Sequence, residues 1–203
     1  MEKRFFFRFL PVVFLLFFLP ASLVAAGYIP FWFRIPLLLF SFCLTVLYSY
    51  YRGFTLRDLG IRRDNLAASL RVNSVVTLCF SVLMGLLFYF ELIPGPYFPA
   101  MGVFLPFYLL VSSPLQEFLF RGFLFAEMRA SGVRSGFLLV VFSALLFSFI
   151  HIVYGDWLTL VLTFLIGLVW GGIYYRIPNI AGLSVFHAIA GMLALLAGVA
   201  RNM

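Results

Sequence analysis

Long apolar runs dominate this sequence, and short polar segments separate them. A helix needs about 20 residues to cross the hydrocarbon core of a bilayer. Seven stretches reach or approach that length: 5–26, 31–50, 72–92, 99–126, 136–153, 157–175 and 181–200. Because a spanning segment must satisfy its own backbone hydrogen bonds, each stretch is predicted to be a helix. The pattern predicts an all-α polytopic membrane protein with about seven transmembrane helices.

Two of these stretches carry residues that affect helix geometry. The fourth contains Pro106 and Pro114. Since proline lacks the N–H that a helix interior needs, we expect this helix to be kinked or broken before Leu115. The sixth contains Gly167 and Gly171 in a GxxxG pattern, which predicts close packing against a neighbouring helix.

The chain is interpreted as a single integral membrane domain, 1–203. Two N-terminal spans occupy 1–51, an amphipathic loop occupies 52–71, and a helical core occupies 72–203. The loop mixes apolar residues with arginines, so it is expected to lie on an anionic, cytoplasmic membrane face. The first span has a basic start like that of a signal peptide, but its apolar part is longer, and we interpret it as a retained helix.

The composition supports a membrane protein and excludes soluble classes. Apolar residues make up 65% of the chain and charged residues 10%, against about 25% charged in ordinary soluble domains. The net charge of +7 does not indicate a nucleic-acid partner, because the basic residues lie between the apolar runs. With the N-terminus inside, two basic residues face outward and eleven face inward: Lys3, Arg4, Arg8, Arg52, Arg57, Arg62, Arg63, Arg71, Arg129, Arg134 and Arg176. The positive-inside rule therefore predicts a cytoplasmic N-terminus.

Four ionisable residues within the predicted spans are candidates for chemistry: Glu117, Arg121, His151 and His187. Groups of this kind are costly at membrane depth and usually line a protein interior or a wet cavity. Glu117 and Arg121 are four residues apart, which places them on one helix face where they can pair. That pair alone is compatible with a structural salt bridge, and a lone histidine with a simple hydrogen bond to the backbone.

Taken together, one carboxylate and two imidazoles can activate water. A carboxylate and an imidazole can orient and deprotonate a water molecule, while a second imidazole stabilises the developing oxyanion. The same three side chains can also hold a divalent metal. A proton relay in a small transporter is a third possibility, although the sequence shows no internal repeat of the transporter kind.

Three motifs in the second half of the chain resemble a known family. They are QEFLFRG at 116–122, FSFIH at 147–151 and GLVWGGIYYRIPNIAGLSVFH at 167–187. Their order and spacing are similar to those of the CAAX-protease and bacteriocin-processing (CPBP, or Abi) family of intramembrane endopeptidases. The resemblance implies a glutamic-type protease in a bacterial plasma membrane. Such a protease cleaves a membrane-associated protein or peptide near a terminus, without an obligatory metal or other cofactor.

The resemblance also implies roles for individual residues. Glu117 matches the second glutamate of the first motif, and His151 matches the histidine of the second motif, which begins at Phe147. These two residues are expected to activate the water. His187 matches the histidine of the third motif and is expected to stabilise the oxyanion, while Arg121 holds the motif helix.

Two positions depart from the family pattern. Gln116 stands where the family has its first glutamate, and Gly191 stands where it has Asn or Asp. Glutamine can orient a water molecule, but it cannot accept its proton. We expect Gln116 to orient the water in a rearranged site. The alternative is a catalytically inactive relative that binds or chaperones membrane proteins.

Overall fold

The computed structural model describes residues 9–93 and 101–198, which are helical apart from short connections. In chain order the helices are α1 (Phe9–Ala25), α2 (Phe31–Tyr51), α3 (Leu66–Tyr89), α4 (101–130), α5 (Gly136–Tyr154), α6 (Trp157–Arg176) and α7 (Ile180–Leu196). The helices α2, α3, α5 and α6 are long and apolar enough to cross a membrane, and α1 and α7 are shorter apolar helices. No strand occurs within the described ranges. The predicted all-α polytopic class is confirmed.

The fourth helix is interrupted by two π-helical segments but is not broken. One segment, Tyr108–Ser112, ends immediately before the turn that contains Pro114, and the other is Phe118–Phe123. The wider turn lets the N–H of Ser113 reach the carbonyl of Tyr108, five residues back. The irregularity expected before Leu115 therefore takes the form of a π-turn, and α4 continues through the proline. π-Turns inside α-helices are frequent at functional sites.

The second half of α4 lies at the centre of the bundle. Residues 116–128 are buried on all sides, as expected for a helix surrounded by other helices. From α1, Phe17 packs on Phe120 with ring centroids 5.1 Å apart. From α5, the hydroxyl of Ser143 donates to the carbonyl of Phe120 at 2.8 Å. The charged residues of this segment are thus held within protein.

The glycines of α6 allow it to approach α5 closely. A Cβ atom on Gly167 would lie 3.2 Å from the Cα atom of Ala144, and one on Gly171 would lie 3.3 Å from a methyl carbon of Val140. Both distances are tighter than ordinary van der Waals contact. The close packing predicted from the GxxxG pattern is confirmed.

Helix α3 begins at Leu66, six residues before the predicted start at Val72. Residues 66–71, assigned from sequence to the amphipathic loop, are therefore the first turns of this helix. Their buried face is polar: Ser69, Asn73 and Thr77 follow one another at intervals of four residues, and all three are buried. Hydropathy alone does not detect a buried face of this kind.

The remaining loop, 52–65, is attached to the beginning of α7. The amide of Asn179 donates to the carbonyl of Arg62 at 2.7 Å. The backbone N–H of Ile180 donates to the carbonyl of Gly60 at 3.0 Å. These bonds link the loop to the helix that carries His187.

Candidate active site

The carboxylate of Glu117 is the centre of a buried polar cluster. Its Oε1 atom accepts a hydrogen bond from Nη1 of Arg121 at 3.1 Å and lies 2.7 Å from Nδ1 of His187. Glu117 and Arg121 are one turn apart on α4, and His187 lies on α7, so the cluster joins the two helices. The side chains of Glu117 and Arg121 are both 0% exposed. The pair predicted from the spacing of four residues is formed.

Two aromatic rings enclose this cluster. The guanidinium carbon of Arg121 lies 4.4 Å from the ring centre of Phe147. The indole of Trp170 stacks on the imidazole of His187 with centroids 4.7 Å apart and planes 25° apart. Aromatic faces attract cations and limit side-chain movement. The rings therefore help to hold Arg121 and His187 in fixed positions.

His151 lies in the 3₁₀ turn Ile150–Tyr154 that ends α5. Its Nδ1 atom is 2.6 Å from the carbonyl oxygen of Phe147. A carbonyl oxygen can only accept, so Nδ1 carries the hydrogen in this bond. In the neutral ring Nε2 then holds the lone pair, and His151 is available as a base.

Gln116 is buried beside Glu117 on α4 but faces a different environment. Its amide nitrogen donates to the hydroxyl of Ser112 at 2.9 Å. Its carbonyl oxygen has no hydrogen-bond partner among the described residues, although the residue is only 9% exposed. A buried acceptor of this kind is a suitable partner for a water molecule.

Two cavities meet around His151 and Tyr108, which line both of them. The larger cavity, of about 200 Å³, is also lined by Gln116 and Arg34. The smaller cavity, of about 70 Å³, is also lined by His187. A substrate carbonyl placed between the cavities would therefore lie close to both histidines.

The structure brings the predicted site residues together in two groups. Glu117, Arg121 and His187 form the buried cluster, while Gln116 and His151 share the larger cavity. The sequence interpretation paired Glu117 with His151 on one water molecule. Instead, Glu117 contacts Arg121 and His187 and lines neither described cavity. The reason is that neighbouring helical residues point about 100° apart, so Gln116 and Glu117 face different sides of α4.

Sequence reasoning did not identify Tyr108, Ser112 or Trp170 as site residues. Tyr108 and Ser112 precede Gln116 at intervals of four residues, which places polar groups along one face of an apolar helix. That spacing indicates a polar face on α4 and could have identified Tyr108 and Ser112 from the sequence. Trp170 lies inside the third motif, but an aromatic residue in an apolar span is ordinarily interpreted as core packing.

The buried cluster is poorly suited to a divalent cation. Within 9–93 and 101–198, no group of three or more His, Cys, Asp or Glu side chains has the geometry of a metal site. The one carboxylate of the cluster already bonds to Arg121, whose fixed positive charge repels a cation.

Comparison with known proteins identifies the part of the chain that carries this site. Residues 98–193 match a family model described as type II CAAX prenyl endopeptidase Rce1-like. That segment is Rce1-like. It makes up a little under half of the chain and includes every site residue from Tyr108 to Gly191. The resemblance inferred from the three motifs is confirmed, and the Rce1-like match indicates a protease. Neither curated proteins nor solved structures give a match to this chain.

Proposed function

We propose that this chain is an intramembrane endopeptidase that hydrolyses a peptide bond near a terminus of a membrane-associated protein or peptide. The observation that carries the proposal is the arrangement of His151 and Gln116 around one cavity, with His187 lining the adjoining one. Such an arrangement supplies a base, a water-orienting group and a hydrogen-bond donor on different sides of a substrate carbonyl.

In this proposal His151 is the general base. Its Nε2 atom takes a proton from the water, and the resulting hydroxide attacks the carbonyl carbon of the scissile bond. The tetrahedral intermediate collapses with cleavage of the C–N bond, and the imidazolium returns the proton to the leaving amine. The bond from Nδ1 of His151 to the carbonyl of Phe147 keeps the ring in the required orientation.

Gln116 orients the attacking water. Its amide oxygen, which has no partner among the described residues, accepts one hydrogen of the water while Nε2 of His151 accepts the other. The bond from the amide nitrogen to Ser112 fixes which end of the amide faces the cavity. Because a primary amide is not basic, Gln116 takes no part in the proton transfer.

In this proposal the doubly protonated imidazole of His187 stabilises the oxyanion. Nδ1 donates to Glu117, and Nε2 then donates to the negatively charged oxygen of the intermediate. Glu117 and Arg121 are positioning residues in this scheme, because they act on the substrate only through His187.

The reaction is further proposed to need no metal, in a bacterial plasma membrane with the N-terminus of the chain in the cytoplasm. The positive charge of Arg121 beside Glu117 supports a reaction that needs no metal. The inward excess of basic residues supports the orientation of the N-terminus.

The direct test uses the full chain reconstituted in liposomes. Prenylated C-terminal peptides, peptide leaders and C-terminal membrane sorting tails would be offered, and the new termini identified by mass spectrometry. We expect cleavage of at least one class, a loss of at least about 100-fold in His151→Ala, and a normal rate in Tyr48→Phe. Tyr48 is on α2 and lines neither described cavity, so it is a matched control. Full activity in His151→Ala would overturn the proposal.

The alternative is a binding or chaperone module without catalysis, and one observation favours it: Gln116 provides an amide where a carboxylate would supply a stronger base. In that case no substrate class is cleaved. In addition, the set of membrane proteins that co-purify with the unmodified chain would be the same as the set that co-purifies with His151→Ala.

A further inference from the structure

Gly191 has no room for a side chain because Tyr108 occupies that space. A Cβ atom at Gly191 would meet the hydroxyl oxygen of Tyr108 and would lie 2.8 Å from Cζ and 3.0 Å from Cε1 of the same ring. The approaches to the hydroxyl oxygen and to Cζ are closer than real Cβ atoms come to other groups, and the approach to Cε1 is tighter than most such contacts. The phenol of Tyr108, on α4, thus reaches the surface of α7 at the place where a residue 191 side chain would begin.

The same phenol lies beside the residue proposed to stabilise the oxyanion. The ring centres of Tyr108 and His187 are 6.0 Å apart, in an edge-to-face arrangement. His187 is also four residues before Gly191, which places both on one face of α7. Tyr108 lines the cavity of Gln116 as well as the cavity of His187.

We propose that the Tyr108 hydroxyl is a second donor to the oxyanion, supplied by α4 in place of a side chain at position 191. This inference rests on the proposed function and adds a catalytic residue to it. The phenol donates a hydrogen bond to the carbonyl oxygen as negative charge develops there, and it keeps its proton throughout. A neutral donor of this type stabilises the intermediate without a second buried charge.

The position of Tyr108 on α4 suits this role. It lies two turns before Gln116 on the same face, so one rigid helix carries both the water-orienting amide and the oxyanion donor. The π-helical segment Tyr108–Ser112 begins at this residue.

The test removes the proposed oxyanion donor from α4, at Tyr108, and introduces a donor on α7, at position 191. In Tyr108→Phe the ring remains and only the hydroxyl is lost. We expect kcat to fall about 100-fold, as for the loss of other oxyanion donors, with KM changed less than about twofold. Gly191→Asn alone should be inactive, because its side chain collides with the phenol. The double variant Tyr108→Ala with Gly191→Asn should recover at least about tenfold in kcat over Tyr108→Ala alone.

A binding measurement separates this proposal from the proposed function. A phosphinate peptide, which resembles the tetrahedral intermediate, should bind the unmodified chain at least about tenfold more tightly than Tyr108→Phe, with Tyr48→Phe as the control. Cleavage by the unmodified chain, with normal kcat and phosphinate binding in Tyr108→Phe, would overturn the role of Tyr108 alone. A rise in KM with kcat unchanged would also overturn it. No cleavage and no phosphinate binding by the unmodified chain would overturn both proposals.

Discussion

Nδ1 of His187 lies 2.7 Å from Oε1 of Glu117, and this contact joins residues 70 positions apart in sequence. The same carboxylate oxygen accepts from Arg121, so one buried atom connects the motif on α4 to the motif on α7. Two motifs with no local relationship in the chain are thereby held in one site.

The first prediction concerns the buried ion pair. Replacing Glu117 with Gln leaves the guanidinium of Arg121 buried without its counter-charge, and this should destabilise the protein by about 3–5 kcal/mol. A double variant with Glu117→Gln and Arg121→Met should recover most of that stability, because the buried guanidinium is removed together with its partner. Thermal unfolding in detergent would measure both effects.

Peptide hydrolysis by the same variants separates structure from positioning. The double variant should remain at least about tenfold slower than the unmodified chain, because His187 has lost its charged partner. If the double variant recovers its stability and also hydrolyses peptides at the normal rate, Glu117 has only a structural role.

The second prediction concerns the amide in the larger cavity. Gln116→Glu places a carboxylate next to the proposed water site, where it can share the proton with His151. We expect kcat to rise by about tenfold or more, since a positioned base contributes about 10²–10⁴-fold to such reactions. The rate should also acquire a new dependence on pH in the acidic range. Gln116→Ala is the control and should lower kcat. No change in either variant would support the inactive alternative.

The third prediction concerns metals. Dialysis of the reconstituted protein against EDTA, followed by assay in chelator, should leave the hydrolysis rate within about twofold of the untreated value. The reason is the fixed charge of Arg121 next to Glu117. A loss of activity that added Zn²⁺ restores would contradict the proposed mechanism.

The fourth prediction concerns the contact between the loop and Tyr174 of α6. Gly60 has φ of +74°, and a Cβ atom there would lie 2.7 Å from Cε2 of Tyr174. Gly53 has φ of +70° but nothing within 4 Å. Gly53→Ala should cost about 1–2 kcal/mol in strain, and Gly60→Ala about 1–3 kcal/mol more, because Tyr174 must move. Equal losses, measured by thermal unfolding, would show that the contact with Tyr174 does not matter.

The fifth prediction concerns the pH dependence of the same loop. The guanidinium of Arg62 hydrogen-bonds to Asp64 and lowers the pKa of that carboxyl to about 2. Because the folded pKa is below the unfolded value of about 4, the stabilisation is present above pH 4 and is lost as the pH falls through 2. The difference in unfolding temperature between the unmodified chain and Asp64→Asn should therefore be constant from pH 5 to 7 and shrink below pH 4. A constant difference down to pH 2 would contradict this pairing.

The sequence by itself determined the helical membrane class and indicated Glu117, Arg121, His151 and His187 as candidate site residues. Apolar runs of sufficient length have few structural options in a bilayer, and ionisable residues within them are rare enough to be noticed individually. The spacing of four residues between Glu117 and Arg121 also predicted their pairing, because neighbours on a helix surface depend on local geometry alone.

Only the tertiary structure decided which partners meet across helices. The contact of Glu117 with His187 depends on how α4 is rotated, and two π-turns alter that rotation in a way that hydropathy does not reveal. The start of α3 at Leu66 was missed because its buried face is polar. In the sequence, Gly191 showed only that the Asn or Asp side chain of the family pattern is absent. The packing of α4 against α7 showed that Tyr108 fills that space, since complementarity between distant residues depends on the positions of whole helices.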